Sequence, residues 1–212
     1  MTGFNDTDLR PGIAVDIDET LSWTVWFWMR QLQHLFGNPE KLTPEEMVEK
    51  YQYTQRVPYW QSKEALQWME HHIRSDRLQE NLPEVKDAHL LNDVSKVIPI
   101  AAYITARPHH VLHGTKVWLK KHGFPEAPII AMPDNIDHKD CNGWKANILK
   151  ELYPTVKGII DDNQKLISEL GDDYEGKVFA FGHTKLADPK PFAIPCKDWE
   201  DVVAKVNESF KI

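Results

Sequence analysis

The chain has 212 residues, a formal charge of −7, 42% hydrophobic and 27% charged residues, the profile of an ordinary globular protein. Duplex nucleic acid and anionic membrane surfaces repel a net negative chain, so neither is expected as a partner. A small phosphorylated substrate is not excluded, because a metal ion and a few cations reverse the potential inside a cleft. The only cysteines, Cys141 and Cys196, supply neither a disulfide framework nor a Cys-rich metal site. The first eight residues lack the basic and apolar regions of a signal peptide, and no apolar run approaches the ~20 residues of a membrane helix. The chain is therefore expected to be soluble and cytoplasmic. Its oligomeric state is not readable.

The first apolar run, residues 13–16 (Ile-Ala-Val-Asp), reads as a buried strand ending in a carboxylate. Residues 21–81 then break the rhythm. They hold no convincing strand, two helical patterns (22–36 and 61–73) and many aromatics, as expected of a helical cap inserted after the first strand. On the first helix, Val25, Trp28, Met29, Leu32, Leu35 and Phe36 form one apolar stripe. Residues 84–97 read as the helix returning the chain to a sheet. Strands follow at 98–105, 128–132, 156–161 and 177–181, separated by helical patterns at 109–122, 143–152 and 163–170. Near-continuous apolar strands alternating with helices predict a parallel α/β sheet covered on both faces, in three layers. The expected units are 1–20 with 82–212 as core, and 21–81 as cap. In such sheets ligands gather beyond the carboxyl ends of the strands, where Asp16, Thr105 and Asp161 are expected.

Asp16 and Asp18 are two residues apart at a strand-to-loop transition, where both can reach one point. Converging carboxylates repel unless a cation or a shared proton relieves them, and Mg2+ prefers such hard oxygen donors. The alternative is an acidic turn in which Asp18 or Thr20 caps a helix. Thr105 can donate to a phosphate oxygen or simply cap its strand. Lys145, at the start of a helix, can neutralise a transferring group or stay solvated in the first turn. Asp161 and Asp162 can complete a metal site or cap the next helix.

Taken in order, these segments resemble the four motifs of the haloacid dehalogenase superfamily of phosphatases. Residues 13–20 (Ile-Ala-Val-Asp-Ile-Asp-Glu-Thr) are similar to the first and 103–107 (Tyr-Ile-Thr-Ala-Arg) to the second. Lys145 is similar to the third, and 159–163 (Ile-Ile-Asp-Asp-Asn) to the fourth. The resemblance implies a Rossmann-like fold of that superfamily and a Mg2+-dependent phosphomonoesterase. Asp16 would be the nucleophile forming an aspartyl-phosphate, and Asp18 the acid/base, its backbone carbonyl also on the metal. Asp161 and Asp162 would complete the metal site, and Thr105, Ala106 and Lys145 would bind the phosphoryl group. The superfamily's dehalogenases lack the second carboxylate, so Asp18 implies phosphoester chemistry.

The cap with Thr105-Ala106-Arg107-Pro108 and Asp161-Asp162-Asn163 is similar to the 5′(3′)-deoxyribonucleotidase branch, which departs from this chain at Glu19-Thr20-Leu21. That likeness implies a nucleoside monophosphate, with Trp23, Trp26 and Phe27 against the base. Arg107 can clamp a second anionic group by bidentate bonds or bridge surface carboxylates. Packing among the cap helices is the other reading of the three aromatics. The alternatives to a nucleotidase are a phosphatase of another small metabolite or a nucleic-acid end, transfer to an acceptor other than water, and a non-hydrolytic phosphate-binding module. His109, His110 and His113 read as surface histidines, and His183 as a residue near the rim of the site.

Overall fold

The computed structural model describes residues 9–73 and 75–211, so the first eight residues of the expected core unit lie outside the described residues. β1 (Gly12–Val15) is buried along its whole length. It is followed by α1 (Thr24–Phe36), α2 (Pro44–Tyr51), α3 (Lys63–Ile73) and the one-turn α4 (Asp76–Gln79). The chain then runs α5 (Leu91–Val97), β2 (Ile100–Pro108), α6 (Leu112–Lys121), β3 (Ile129–Met132), α7 (Cys141–Leu152) and β4 (Val156–Asp161). It ends with α8 (Lys165–Leu170), β5 (Lys177–Phe181), β6 (Ala193–Cys196) and α9 (Trp199–Phe210).

The six strands form one parallel sheet in the order β3-β2-β1-β4-β5-β6. Side-chain alternation sends Ala14, Ile104, Ile159, Val178 and Ala180 to one face, where Leu149 of α7 and Leu166 and Leu170 of α8 cover them. Ile13, Val15, Tyr103, Ile160 and Phe179 face the other way, against Leu91 of α5, Trp118 of α6 and Val202 of α9. The result is the expected three-layer, Rossmann-like α/β fold. Strand order reverses between β1 and β4, and a crevice opens at the carboxyl ends of strands that diverge in this way.

The helices after β1 carry a core of their own. Met29 and Leu32 of α1 pack with Met47 of α2, Val57, Trp60, and Ala65 and Met69 of α3. Trp60 also donates from Nε1 to the Gly37 carbonyl at 2.9 Å. α2 starts at a reciprocal cap in which Thr43 and Glu46 satisfy each other's backbone N–H groups. Val25 and Phe36 of the expected stripe pack partly against this core, but Leu35 is 50% exposed.

Sequence and structure differ in a few elements. α2, α4, β6 and α9 were not anticipated. β6 (Ala-Ile-Pro-Cys) contains Pro195, which a strand tolerates at a sheet edge, and an edge is where β6 lies. α7 begins at Cys141, two residues earlier than expected, so Lys145 sits in its second turn. β2 continues past Thr105 to Pro108, with irregular pairing to β3 between those two residues.

Candidate active site at the strand switch point

The geometry starts from the register of the sheet. Val15 is level with Ile160, and the Asp16 N–H donates to the Ile160 carbonyl at 2.9 Å, so Asp16 stands beside Asp161 at the strand ends. Lys145 reaches across from α7 and contacts both, with Nζ 3.0 Å from Asp16 Oδ1 and 2.6 Å from Asp161 Oδ2. Asp161 Oδ1 accepts the Asn163 N–H at 2.8 Å, which orients the carboxylate. All three side chains are buried. Asp162 joins them: one oxygen from each of Asp16, Asp161 and Asp162 lies within 4.8 Å of the others.

One lysine does not neutralise three carboxylates. Burial pushes the Asp16 pKa up to about 7, with Asp161 and Asp18 adding to the shift against the opposing pull of Lys145. Burial likewise raises Asp162 well above the usual range, reinforced by Asp161 and Asp16. Burial opposes the charge on Lys145, but its two carboxylate partners outweigh that and hold the ammonium protonated. A buried, oxygen-only, acid-rich cluster of this kind is deficient in positive charge and suits a hard divalent cation.

Asp18 occupies a separate subsite. Arg107 Nε donates to its Oδ1 and Oδ2 at 3.1 and 3.0 Å, and Arg107 Nη2 to Oδ1 at 2.8 Å. Thr24, at the start of α1, donates its hydroxyl to Oδ1 at 2.6 Å. Burial would raise the Asp18 pKa, but Arg107 and the Thr24 hydrogen bond outweigh it and leave it below the usual carboxylate range. Between the two aspartates and α1, Glu19 adopts a left-handed backbone (φ 60°) and accepts the Val25 N–H at 2.6 Å. Burial lifts the Glu19 carboxyl to about 7. This turn ties the loop after β1 to α1.

The remaining expected residues are distributed unevenly. Thr105 is buried, and its Oγ1 accepts the Arg107 N–H at 3.2 Å. Ala106 is partly buried beside it. Trp23 and Trp26 stack on each other at 5.2 Å, and Trp26 donates from Nε1 to Glu45 of α2 at 2.7 Å. Phe27 packs against the sheet-side core that contains Ile13 and Val15. His183 interacts through Nε2 with the Asp162 carbonyl at 2.6 Å and through Nδ1 with Gln164 at 3.0 Å, which places it beside the metal-type cluster. Ser22, Thr24 and Thr115, the hydroxyls around Asp18 and Arg107, were not anticipated. Lone hydroxyl residues carry no periodic signal, and only the fold assembles these three.

No family model matches the chain, and no curated protein matches its sequence. Among solved structures it is similar to a HAD family hydrolase from Deinococcus radiodurans R1 with bound phosphate and sodium, at 10% identity and a TM-score of 0.49. That match covers 95% of this chain and 97% of the other. No chemistry is carried across at that level of likeness. Among the described residues, no helix is long and apolar enough to cross a membrane.

Proposed function

We propose that the chain is a Mg2+-dependent phosphomonoester hydrolase of the haloacid dehalogenase type, acting through an aspartyl-phosphate on Asp16. The observation that carries this reading is the convergence of Asp16, Lys145, Asp161 and Asp162 at the switch point, with Asp18 two residues beyond the nucleophile. Asp16, Asp161 and Asp162 would hold the ion, together with the Asp18 carbonyl. When bound, it supplies charge neutralisation for an incoming phosphate and polarisation of a phosphoryl oxygen.

The chain's own residues supply the rest. An Asp16 carboxylate oxygen forms a bond to phosphorus as the ester P–O bond breaks. The departing oxygen takes the bond's electron pair and a proton from Asp18. Asp18, now a carboxylate, takes a proton from water. The resulting hydroxide attacks phosphorus, releasing phosphate and restoring Asp16. Arg107 keeps Asp18 ionised in the free protein; an arriving phosphate dianion adds negative charge that raises its proton affinity, and Asp18 takes from solvent the proton it then gives to the leaving oxygen. Lys145, the Thr105 hydroxyl and the Ala106 N–H would bind phosphoryl oxygens. Residues 21–81 form the proposed cap, and a nucleoside monophosphate is the proposed substrate, admitted past Trp23, Trp26 and Phe27.

Asp16→Asn should abolish Mg2+-dependent hydrolysis of p-nitrophenyl phosphate while leaving the circular dichroism spectrum intact. Unchanged turnover would sink the proposal. A panel of nucleoside monophosphates, sugar phosphates and phosphorylated nucleic-acid ends then identifies the leaving group. Phosphate binding without turnover across that panel would favour a non-hydrolytic binding module.

A further inference from the structure

We propose that Arg107 is a positioning residue that holds the acid/base carboxylate from behind and directs its Oδ2 at the leaving group, rather than a clamp for a second substrate anion. The proposal deepens the hydrolase reading and rests on it for the role of Asp18. Three observations carry it.

The first is saturation of the guanidinium. Arg107 spends Nε and one Nη2 hydrogen on Asp18, the other Nη2 hydrogen on Ser22 Oγ at 2.8 Å, and an Nη1 hydrogen on Thr115 Oγ1 at 3.2 Å. Among the described residues, that leaves one of an arginine's five N–H donors uncommitted. A bidentate grip on a substrate anion needs two parallel donors on one edge, and the Nε/Nη2 edge is already closed on Asp18. Thr115 is itself fixed, donating to the Val111 carbonyl at 2.9 Å, and the guanidinium lies 5.9 Å from the Trp118 ring centroid.

The second is the contrast in exposure. The Arg107 side chain is 4% exposed, whereas that of its partner Asp18 is 31% exposed. A ligand entering from solvent therefore meets the carboxylate and not the guanidinium. Arg107 comes from the irregular end of β2, on the buried side of the pair.

The third is the inequality of the two carboxylate oxygens. Oδ1 accepts from Arg107 Nη2, from the Thr24 hydroxyl at 2.6 Å and from Ser22 Oγ at 3.4 Å. Among the described residues, Oδ2 receives only the Arg107 Nε hydrogen that it shares with Oδ1. A carboxylate oxygen with several donors aimed at it is a poor site for a proton, so the proton that passes to the departing alkoxide sits on Oδ2. The bookkeeping of the step is unchanged: Oδ2–H breaks, the leaving oxygen gains the proton, and Asp18 is left as the carboxylate that Arg107 already accommodates. Thr24 belongs to α1, so the first helix of the inserted segment shares in setting this orientation.

The test compares wild type, Arg107→Gln and Arg107→Lys on p-nitrophenyl phosphate, whose leaving group needs little protonation, and on an alkyl phosphate, whose leaving group needs it. For Arg107→Gln, the single-turnover rate of the first step, phosphoryl transfer to Asp16, should fall on the alkyl ester on the order of 10²-fold, the scale of lost general-acid catalysis. The fall on the aryl ester should be several times smaller, with KM little changed on both. Arg107→Lys should recover part of the loss. A rise in KM at constant kcat would make Arg107 a substrate clamp, and equal losses of the first-step rate on both esters would make it a merely structural residue; either overturns the proposal. Thermal melts of Arg107→Gln, Asp18→Asn and the double variant need no turnover. Non-additive losses are expected, and additive losses would refute the pairing even if wild type proved inert to every ester. Inert wild type by itself would count against the hydrolase reading.

Discussion

Lys145 shows what one buried cation does in an acidic pocket. Its Nζ bridges Asp16 and Asp161, and neither carboxylate has a second cationic side chain within ion-pair distance among the described residues. Removing one partner of a buried charge network leaves the others uncompensated, at a typical cost of 3–5 kcal/mol. Lys145→Met should therefore lower unfolding free energy by roughly that amount in a urea titration, as well as removing activity. The same substitution at a solvated first-turn lysine would be nearly silent, so the measurement separates the two readings that the sequence left open. At this scale the positions of the strand-end carboxylates Asp16 and Asp161 were legible, because each closes an apolar run. Their partners were not. Nothing in the string Thr-Ala-Arg-Pro says that Arg107 will turn inward to Asp18, 89 positions away.

At the scale of elements, contacts between backbones decide more than side-chain pattern. Gly114 of α6 lies so close to α4 that an added Cβ would sit 2.0 Å from the Asp76 carbonyl oxygen, and its N–H donates to Asp76 Oδ1 at 2.6 Å. Gly114→Ala should push α4 off α6 at a cost of about 1–3 kcal/mol, the usual penalty of overpacking. Hydrogen exchange should show the α4 amides losing protection first; unchanged protection there would mean that α4 is held by other contacts. The long apolar strands were readable because a sheet covered on both faces demands them. The four-residue α4 and the proline-bearing β6 were not, since neither is long enough to show a period and each is held in place by its neighbours. Nothing in the helical pattern around Gly114 marks it out, and only α4's arrival gives it a purpose.

For the molecule as a whole, the acid-rich cluster and the helices that follow β1 share a single loop. Asp16 and Asp18 lie on one side of the Glu19 turn, and Thr24 at the head of α1 on the other, so the charge state of the cluster bears on the stability of the whole. A ligand that binds only the folded state stabilises it by about 2.7 kcal/mol at a hundredfold excess over Kd. For a chain of this length that corresponds to a rise in Tm of roughly 5–10 °C. Mg2+ added to chelator-treated protein should produce such a shift in calorimetry, and the shift should vanish in Asp161→Asn with Asp162→Asn. An identical response in wild type and the double variant would place the ion elsewhere.

The order of apolar strands, helices and strand-end carboxylates along the chain is a one-dimensional property, and it was enough to predict a three-layer parallel sheet and the residues at its mouth. It does so because burial on both faces writes itself into β1 to β5 as near-continuous apolar runs. What the tertiary structure alone decided is which of those residues oppose each other. The reversal of strand order between β1 and β4 puts Asp16 beside Asp161, the second turn of α7 delivers Lys145 between them, and the irregular end of β2 gives Asp18 to Arg107. Electrostatics falls off over a few ångströms, so a charge is defined by its neighbours in space, and those are chosen by strand order rather than by distance along the chain.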